Sequence, residues 1–122
     1  VVMKYLCLIY SSEETMRTHP EAPRDEECKQ VGDQLRGRGH VLAAEALESV
    51  DTATTVRVRG GKVSVTDGPF AETKEQLAGF YLMEARDLNE AIQLASKLPP
   101  ARVGSVEVRP IRTLNLPASD SD

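Results

Sequence analysis

The sequence predicts a single α+β domain: a split βαβ arrangement with an inserted β-hairpin, its antiparallel sheet carrying two helices on one face. Three observations predict it. The first strand is apolar at both parities, the periodicities run strand, helix, strand, hairpin, strand, helix, strand, and 122 residues suffice for one core. A chain of that length buries about two thirds of its unfolded surface and has no room for a second catalytic domain.

The elements follow in order. In MKYLCLIY (residues 3–10), Met3, Tyr5, Cys7 and Ile9 alternate with Leu6, Leu8 and Tyr10, which marks a strand covered on both faces. Residues 11–23 are polar, and Thr18, Pro20 and Glu21 read as the start of a short turn or helix. In RDEECKQVGDQLRGRG (residues 24–39), Cys28, Val31 and Leu35 form one stripe, acids precede bases as the helix dipole favours, and Gly37 and Gly39 end the helix.

HVLAAEAL (residues 40–47) reads as a second strand. TTVRVRGGKVSVTDG is a β-hairpin with one wet face: Val56, Val58, Val63 and Val65 alternate with polar residues about the turn Gly60-Gly61. GFYLMEA (residues 79–85) is the next strand. Asp87 and Glu90 resemble a capping box opening a helix that buries Leu88, Ala91, Ile92, Ala95 and Leu98, and Pro99-Pro100 stops it. GSVEVRPI closes the sheet with Val106 and Val108 inward, so that one domain occupies residues 1–114, and NLPASDSD leaves 115–122 as a flexible acidic tail.

This order is ferredoxin-like, and two helices cover only one face of such a sheet. The apolar residues on the other side of the first strand then require a cover, which predicts a homodimer packed largely face to face, with clefts beside the interface. The alternative is a hairpin folded back over that face within one chain.

Composition excludes several classes. A net charge of -4, with both signs mixed along the chain, offers no basic face for nucleic acid and no cationic segment for a membrane surface. No apolar run approaches the ~18 residues of a membrane span, and VVMKYLCLIY lacks the pattern of a signal peptide, so a cytoplasmic protein is expected. Cys7 and Cys28 have no framework spacing and are expected free. There is no H-x-x-H, C-x-x-C, phosphate loop or dinucleotide fingerprint, so neither a metal nor a cofactor is expected.

MKYLCLIY, AEAL, the segment from TATTVRVRGGKVSVTDG through PFAETKEQLAGFYLMEA, and GSVEVRP closely resemble the DGPF branch of the YCII-related family over nearly the whole chain. DGPFAETKEQ is the specific part. The resemblance implies a dimeric α+β barrel, a protomer paired through its sheet, and many such proteins lie beside extracytoplasmic-function sigma factors in bacterial genomes. A distant branch includes a dehydrochlorinase with a His-Asp pair, whose aspartate corresponds to Asp67. Its histidine lies on the first helix, where this chain carries Cys28, so the pair does not carry over intact.

Each candidate side chain has two readings. Asp67, before Gly68-Pro69, either accepts amide hydrogen bonds in an Asx turn that fixes the bend or, partly buried in a cleft at the dimer seam, serves as general acid or base. Phe70 reads most simply as an anchor buried against the sheet, otherwise as an aromatic wall for a ligand. Glu72, Lys74 and Glu75 form a solvated bend, or Lys74 pairs with Asp67 or an acidic ligand while a glutamate supplies a second carboxylate. Thr73 could cap a turn begun by Lys74-Glu75-Gln76.

His40 satisfies a local carbonyl at a sheet edge or acts as a base near Asp67, and His19 sits on a polar loop. Cys28 is a small apolar residue on a buried stripe, with Tyr10 and Cys28 as further ligand contacts. Two functions compete: a regulatory protein binding an unidentified small molecule, with a link to a sigma factor, and a cofactor-independent lyase, dehydrochlorinase-like enzyme or isomerase using Asp67. Cofactor-free oxygenation of an electron-rich aromatic is a third, by analogy of fold.

Overall fold

The computed structural model describes residues 2–114, and the tail expected over 115–122 lies outside the described residues. β1 (Met3–Ser11) is the backbone of the core, pairing antiparallel with β5 (Gln76–Ala85) on one side and β6 (Ser105–Pro110) on the other. β2 (Val41–Ala46) adds beyond β5, giving the order β2-β5-β1-β6 of the split βαβ arrangement. The fold is α+β and ferredoxin-like, with the hairpin inserted as expected.

Alternation along β1 sorts the sheet's two faces. Tyr5, Cys7 and Ile9 point into the core with Tyr81 and Met83 of β5, under α2 (Asp25–Gly37) and α3 (Leu88–Ala95). The Cys7 thiol packs 3.8 Å from the Met83 sulfur, and both residues are fully buried. α2 seals its end of the core through Leu35, with Val31 half-buried beside it, as the stripe predicts. Leu6, Leu8, Tyr10, Phe80 and Leu82 occupy the opposite face and are only half-buried.

α3 departs from expectation. Asp87 caps it by accepting from the Glu90 amide at 2.9 Å, and the Glu90 carboxylate accepts in return from the Arg86 amide, one residue before the cap. The buried residues are Ala91, Leu94, Ala95 and Leu98, whereas Leu88 and Ile92 are half exposed. Asn89, Glu90 and Gln93 make the polar side of this short helix, and its apolar stripe is broader than the face the core covers: packing centres on Ala91, Leu94 and Ala95 and leaves Leu88 and Ile92 at the stripe's open edge.

The polar segment also folds otherwise than predicted. α1 (Glu13–Thr18) starts earlier, capped by Ser12, whose hydroxyl accepts from the Thr15 amide at 3.3 Å. Thr18 thus ends a helix, and Pro20 and Glu21 form the turn after it. Glu13 reaches across to a 3₁₀ turn (Val50–Thr52), accepting from Ser49 Oγ at 2.9 Å and the Val50 amide at 2.6 Å. These bonds hold the Glu13 carboxyl below its ordinary value, the backbone amide contributing most and the Ser49 hydroxyl next.

The hairpin, β3 (Thr54–Arg59) and β4 (Lys62–Asp67), is a two-stranded sheet of its own. Gly60 and Gly61 both take positive φ, 56° and 77°, which the two-residue turn requires. The single wet face is corrected, because Val56, Val58, Val63 and Val65 are 57–68% exposed and both faces are open in the protomer. The hairpin does not fold back to hide the sheet's open face.

Candidate functional site

A cleft of about 380 Å³ opens between α2 and the sheet, within the size range of small-molecule sites. It exists because the residues facing it are small. Ala44 and Ala46 of β2 and Ala78 and Gly79 of β5 keep the floor low. Gly32 of α2 leaves the roof open above Tyr81, since a Cβ there would reach only van der Waals contact, 3.7 Å from the Tyr81 ring. Gly79 has a second role: a Cβ on it would lie 2.7 Å from the Glu45 carbonyl oxygen, so its missing side chain lets β2 approach β5.

Three polar side chains face the cavity from different elements: Ser11 from the end of β1, Cys28 from α2 and Tyr81 from β5. Burial raises the Cys28 thiol above its ordinary value, and the Asp25 and Glu27 carboxylates push it further in that direction against the pull of Arg102. Burial likewise raises the Tyr81 hydroxyl, with the neighbouring Cys28 adding to it. Both groups are therefore protonated and neutral near pH 7, so Cys28 is a weak donor rather than a thiolate nucleophile. Charged side chains sit at the exposed rim, Asp25, Lys29, Asp33 and Arg36 from α2 and Glu45 from β2, and Lys29 and Asp33 pair at 2.8 Å.

The cleft's position is fixed by a clamp. Arg102, at the end of a 3₁₀ turn (Pro99–Arg102), holds Glu27 of α2 through two hydrogen bonds of 2.7 and 2.9 Å and donates to the Glu21 carbonyl at 3.2 Å. This docks the first turns of α2, and Cys28 with them, at the end of the sheet where β1 finishes. The clamp lowers the Glu27 carboxyl, chiefly through the Arg102 hydrogen bond.

Of the residues expected at a site, only Cys28 lines this cleft. Asp67 ends β4 and is exposed, as are Glu72 and Lys74. The bend is held by the Gly68 amide donating to the Ala53 carbonyl at 2.8 Å and the Thr55 hydroxyl donating to the Gly68 carbonyl at 2.9 Å, in place of an Asx turn on Asp67. Phe70 is not the expected buried anchor: it is 79% exposed, with the Arg57 guanidinium 5.6 Å from its ring centre. Thr73 caps no helix; its hydroxyl donates to the Glu75 carbonyl, and Glu75 accepts from Ser105 at 2.8 Å. Lys74 takes part in none of the ion pairs among the described residues.

Tyr10 lies on the open face, the far side of the sheet from the cleft. His40 is not brought near Asp67. It precedes β2, with Nδ1 3.0 Å from the Glu84 carbonyl, whereas the chain reaches the hairpin base from the other end of that strand. His19 is satisfied locally, its Nδ1 accepting from the Glu21 amide at 3.0 Å. Cys7 and Cys28 are free thiols. Among the described residues no group of His, Cys, Asp and Glu converges as a metal site, and no helix is long and apolar enough to cross a membrane.

Residues 3–115 match the YCII-related domain. The sequence is also similar to an uncharacterized protein of Rhizobium meliloti (strain 1021), 52% identical over 61 residues that make up 48% of this chain. The chain spans about half, 49%, of the length of that relative.

Proposed function

The chain belongs to the YCII-related family, and from that premise we propose that it is a cytoplasmic protein of the DGPF branch that binds a neutral, largely apolar small molecule in the cleft between α2 and the sheet. One observation carries this reading. Small residues on two strands and one helix, Ala44, Ala46, Ala78, Gly79 and Gly32, converge on one cavity whose buried and half-buried polar groups, Ser11, Cys28 and Tyr81, are uncharged, its charged lining residues lying exposed at the rim. An aromatic or phenolic compound suits a cleft that offers Tyr81 from the floor and Cys28 from the roof as neutral hydrogen-bonding partners and holds no buried charge.

The working unit of this proposal is a homodimer. Half-buried Leu6, Leu8, Tyr10, Phe80 and Leu82 leave an apolar sheet face uncovered in the protomer, and a second copy of that face is its natural cover. A regulatory role beside an extracytoplasmic-function sigma factor is carried in the proposal by the resemblance alone. The alternative enzyme built on Asp67 draws no support from the protomer, where that carboxylate is exposed and His40 lies across the sheet.

Thermal shift with naphthol, catechol and indole as neutral aromatic probes tests the proposal. A probe at a hundred times its dissociation constant stabilises the folded state by about 2.7 kcal/mol. The parent should respond to at least one of them, and Gly32→Leu, which fills the roof, should fold and lose the response. An equal response in that variant would place the ligand elsewhere.

A further inference from the structure

The core face of β1 ends on a polar residue. Tyr5, Cys7, Ile9 and Ser11 alternate along that face, all four are buried, and Ser11 is only 3% exposed. Two backbone features seat it in the lining of the α2 cleft. The ladder between β1 and β5 shifts register between Ile9 and Tyr10, a bulge that re-aims the end of the strand. A Cβ on Gly104 would collide with the Tyr10 carbonyl oxygen and stand 3.1 Å from the Ser11 Cβ, so bare backbone there lets the chain pack against Ser11.

Ser12, Ser49, Ser96 and Ser105 are less buried than Ser11, yet each of their hydroxyls bonds a protein group. Among the described residues no hydrogen bond uses the Ser11 hydroxyl, whereas every fully sealed side-chain nitrogen or oxygen has a partner. The Ser11 hydroxyl is therefore not sealed, and the space it opens on is the cleft that it lines. A hydroxyl this buried and unpaired works against the fold, and alanine would fill the same place without that cost.

We infer that Ser11 is a specificity-determining residue of the cleft: its hydroxyl hydrogen-bonds an uncharged oxygen, hydroxyl or carbonyl, on the buried end of the ligand. The inference rests on the cleft being the binding site, as proposed above, and adds which compounds it selects. The oxygen has to be uncharged. Charged lining residues lie exposed at the rim, and the buried lining, Ile9, Tyr81 and Pro100, supplies no cation to offset an ionised group. Hydrocarbons fit the same walls but leave the hydroxyl unpaired, so the cleft discriminates against them.

Amide NMR titrations with naphthol and naphthalene, which share a ring system and differ by one hydroxyl, test this in the parent and in Ser11→Ala. Loss of one neutral hydrogen bond should weaken naphthol about tenfold in the variant, while naphthalene keeps its parental dissociation constant. Without a probe, the variant should melt at or above the parent's temperature, because no protein hydrogen bond is lost. Equal weakening of both probes, or a lower melting temperature, would make Ser11 a packing residue and overturn the inference. An unaltered naphthol constant, with both probes still shifting the Cys28, Gly32 and Gly79 amides, would also overturn it and leave the cleft standing as a binding site. If neither probe moves those amides in the parent, the cleft reading fails and the inference with it.

Discussion

The Arg102 guanidinium grips the Glu27 carboxylate with two hydrogen bonds, Nη1 to Oε2 at 2.7 Å and Nη2 to Oε1 at 2.9 Å, and so ties residues 75 apart in sequence. Because α2 roofs the cleft, this pair sets the position of Cys28 and Gly32 over Tyr81.

The clamp gives stability a sign with pH. Glu27 and Glu13 both have folded values below the ordinary 4.5. Their contribution is therefore complete above that value and is lost as pH falls from it through the folded values. Melting temperature should decline below about pH 4.5, and Glu27→Gln should start lower at pH 7 and decline less steeply. A variant that tracks the parent at every pH would remove the clamp from the account of α2.

Gly79 should tolerate no side chain. With the Glu45 carbonyl oxygen 2.7 Å from where its Cβ would stand, Gly79→Ala has to push β2 away from β5. The expected cost is about 1–3 kcal/mol, read as a fall of several degrees in melting temperature. Gly32→Ala is the contrasting case, since the site is open and helical, and it should raise stability by about 0.5–1 kcal/mol.

At the bend, the hydroxyl of Thr55 should matter more than the carboxylate of Asp67. Thr55→Val removes the bond to the Gly68 carbonyl and should cost about 1 kcal/mol, whereas Asp67→Asn should stay within about 0.5 kcal/mol in chemical denaturation. The reverse ranking would restore the Asx turn.

The two thiols should be separable by reagent. Cys7 is fully buried, and burial pushes its thiol up to about 11, so it should react with a disulfide reagent only as the protein unfolds. Cys28 should react in the folded protein, but more slowly than a peptide thiol at pH 8. A fast Cys28 would mean an activated thiolate and would favour chemistry over binding.

What the sequence made legible was whatever depends on side chains that are present. The double-sided β1, the Gly60-Gly61 hairpin and the Cys28, Val31, Leu35 stripe follow from periodicity and are found where expected. α1 is too short and polar for a period, and its one signal, Ser12 capping Thr15, is local. In α3 the apolar stripe is broader than the face that is buried, with Leu94 at one edge and Ile92 at the other, so sequence could not tell which edge turns inward. The cleft was hidden because missing atoms form it: Gly32, Ala44, Ala46, Ala78 and Gly79 carry no chemistry of their own and meet only in three dimensions. The DGPF bend drew notice through its charges, yet Asp67, Glu72 and Lys74 point to solvent in the protomer.

Binding in the α2 cleft is tested most directly by an amide NMR titration of the parent with naphthol. Shifts should gather at Cys28, Gly32, Ala44 and residues 78–81, and vanish in Gly32→Leu. Shifts confined to the bend at 67–75, or to the hairpin, with those amides unmoved would contradict it.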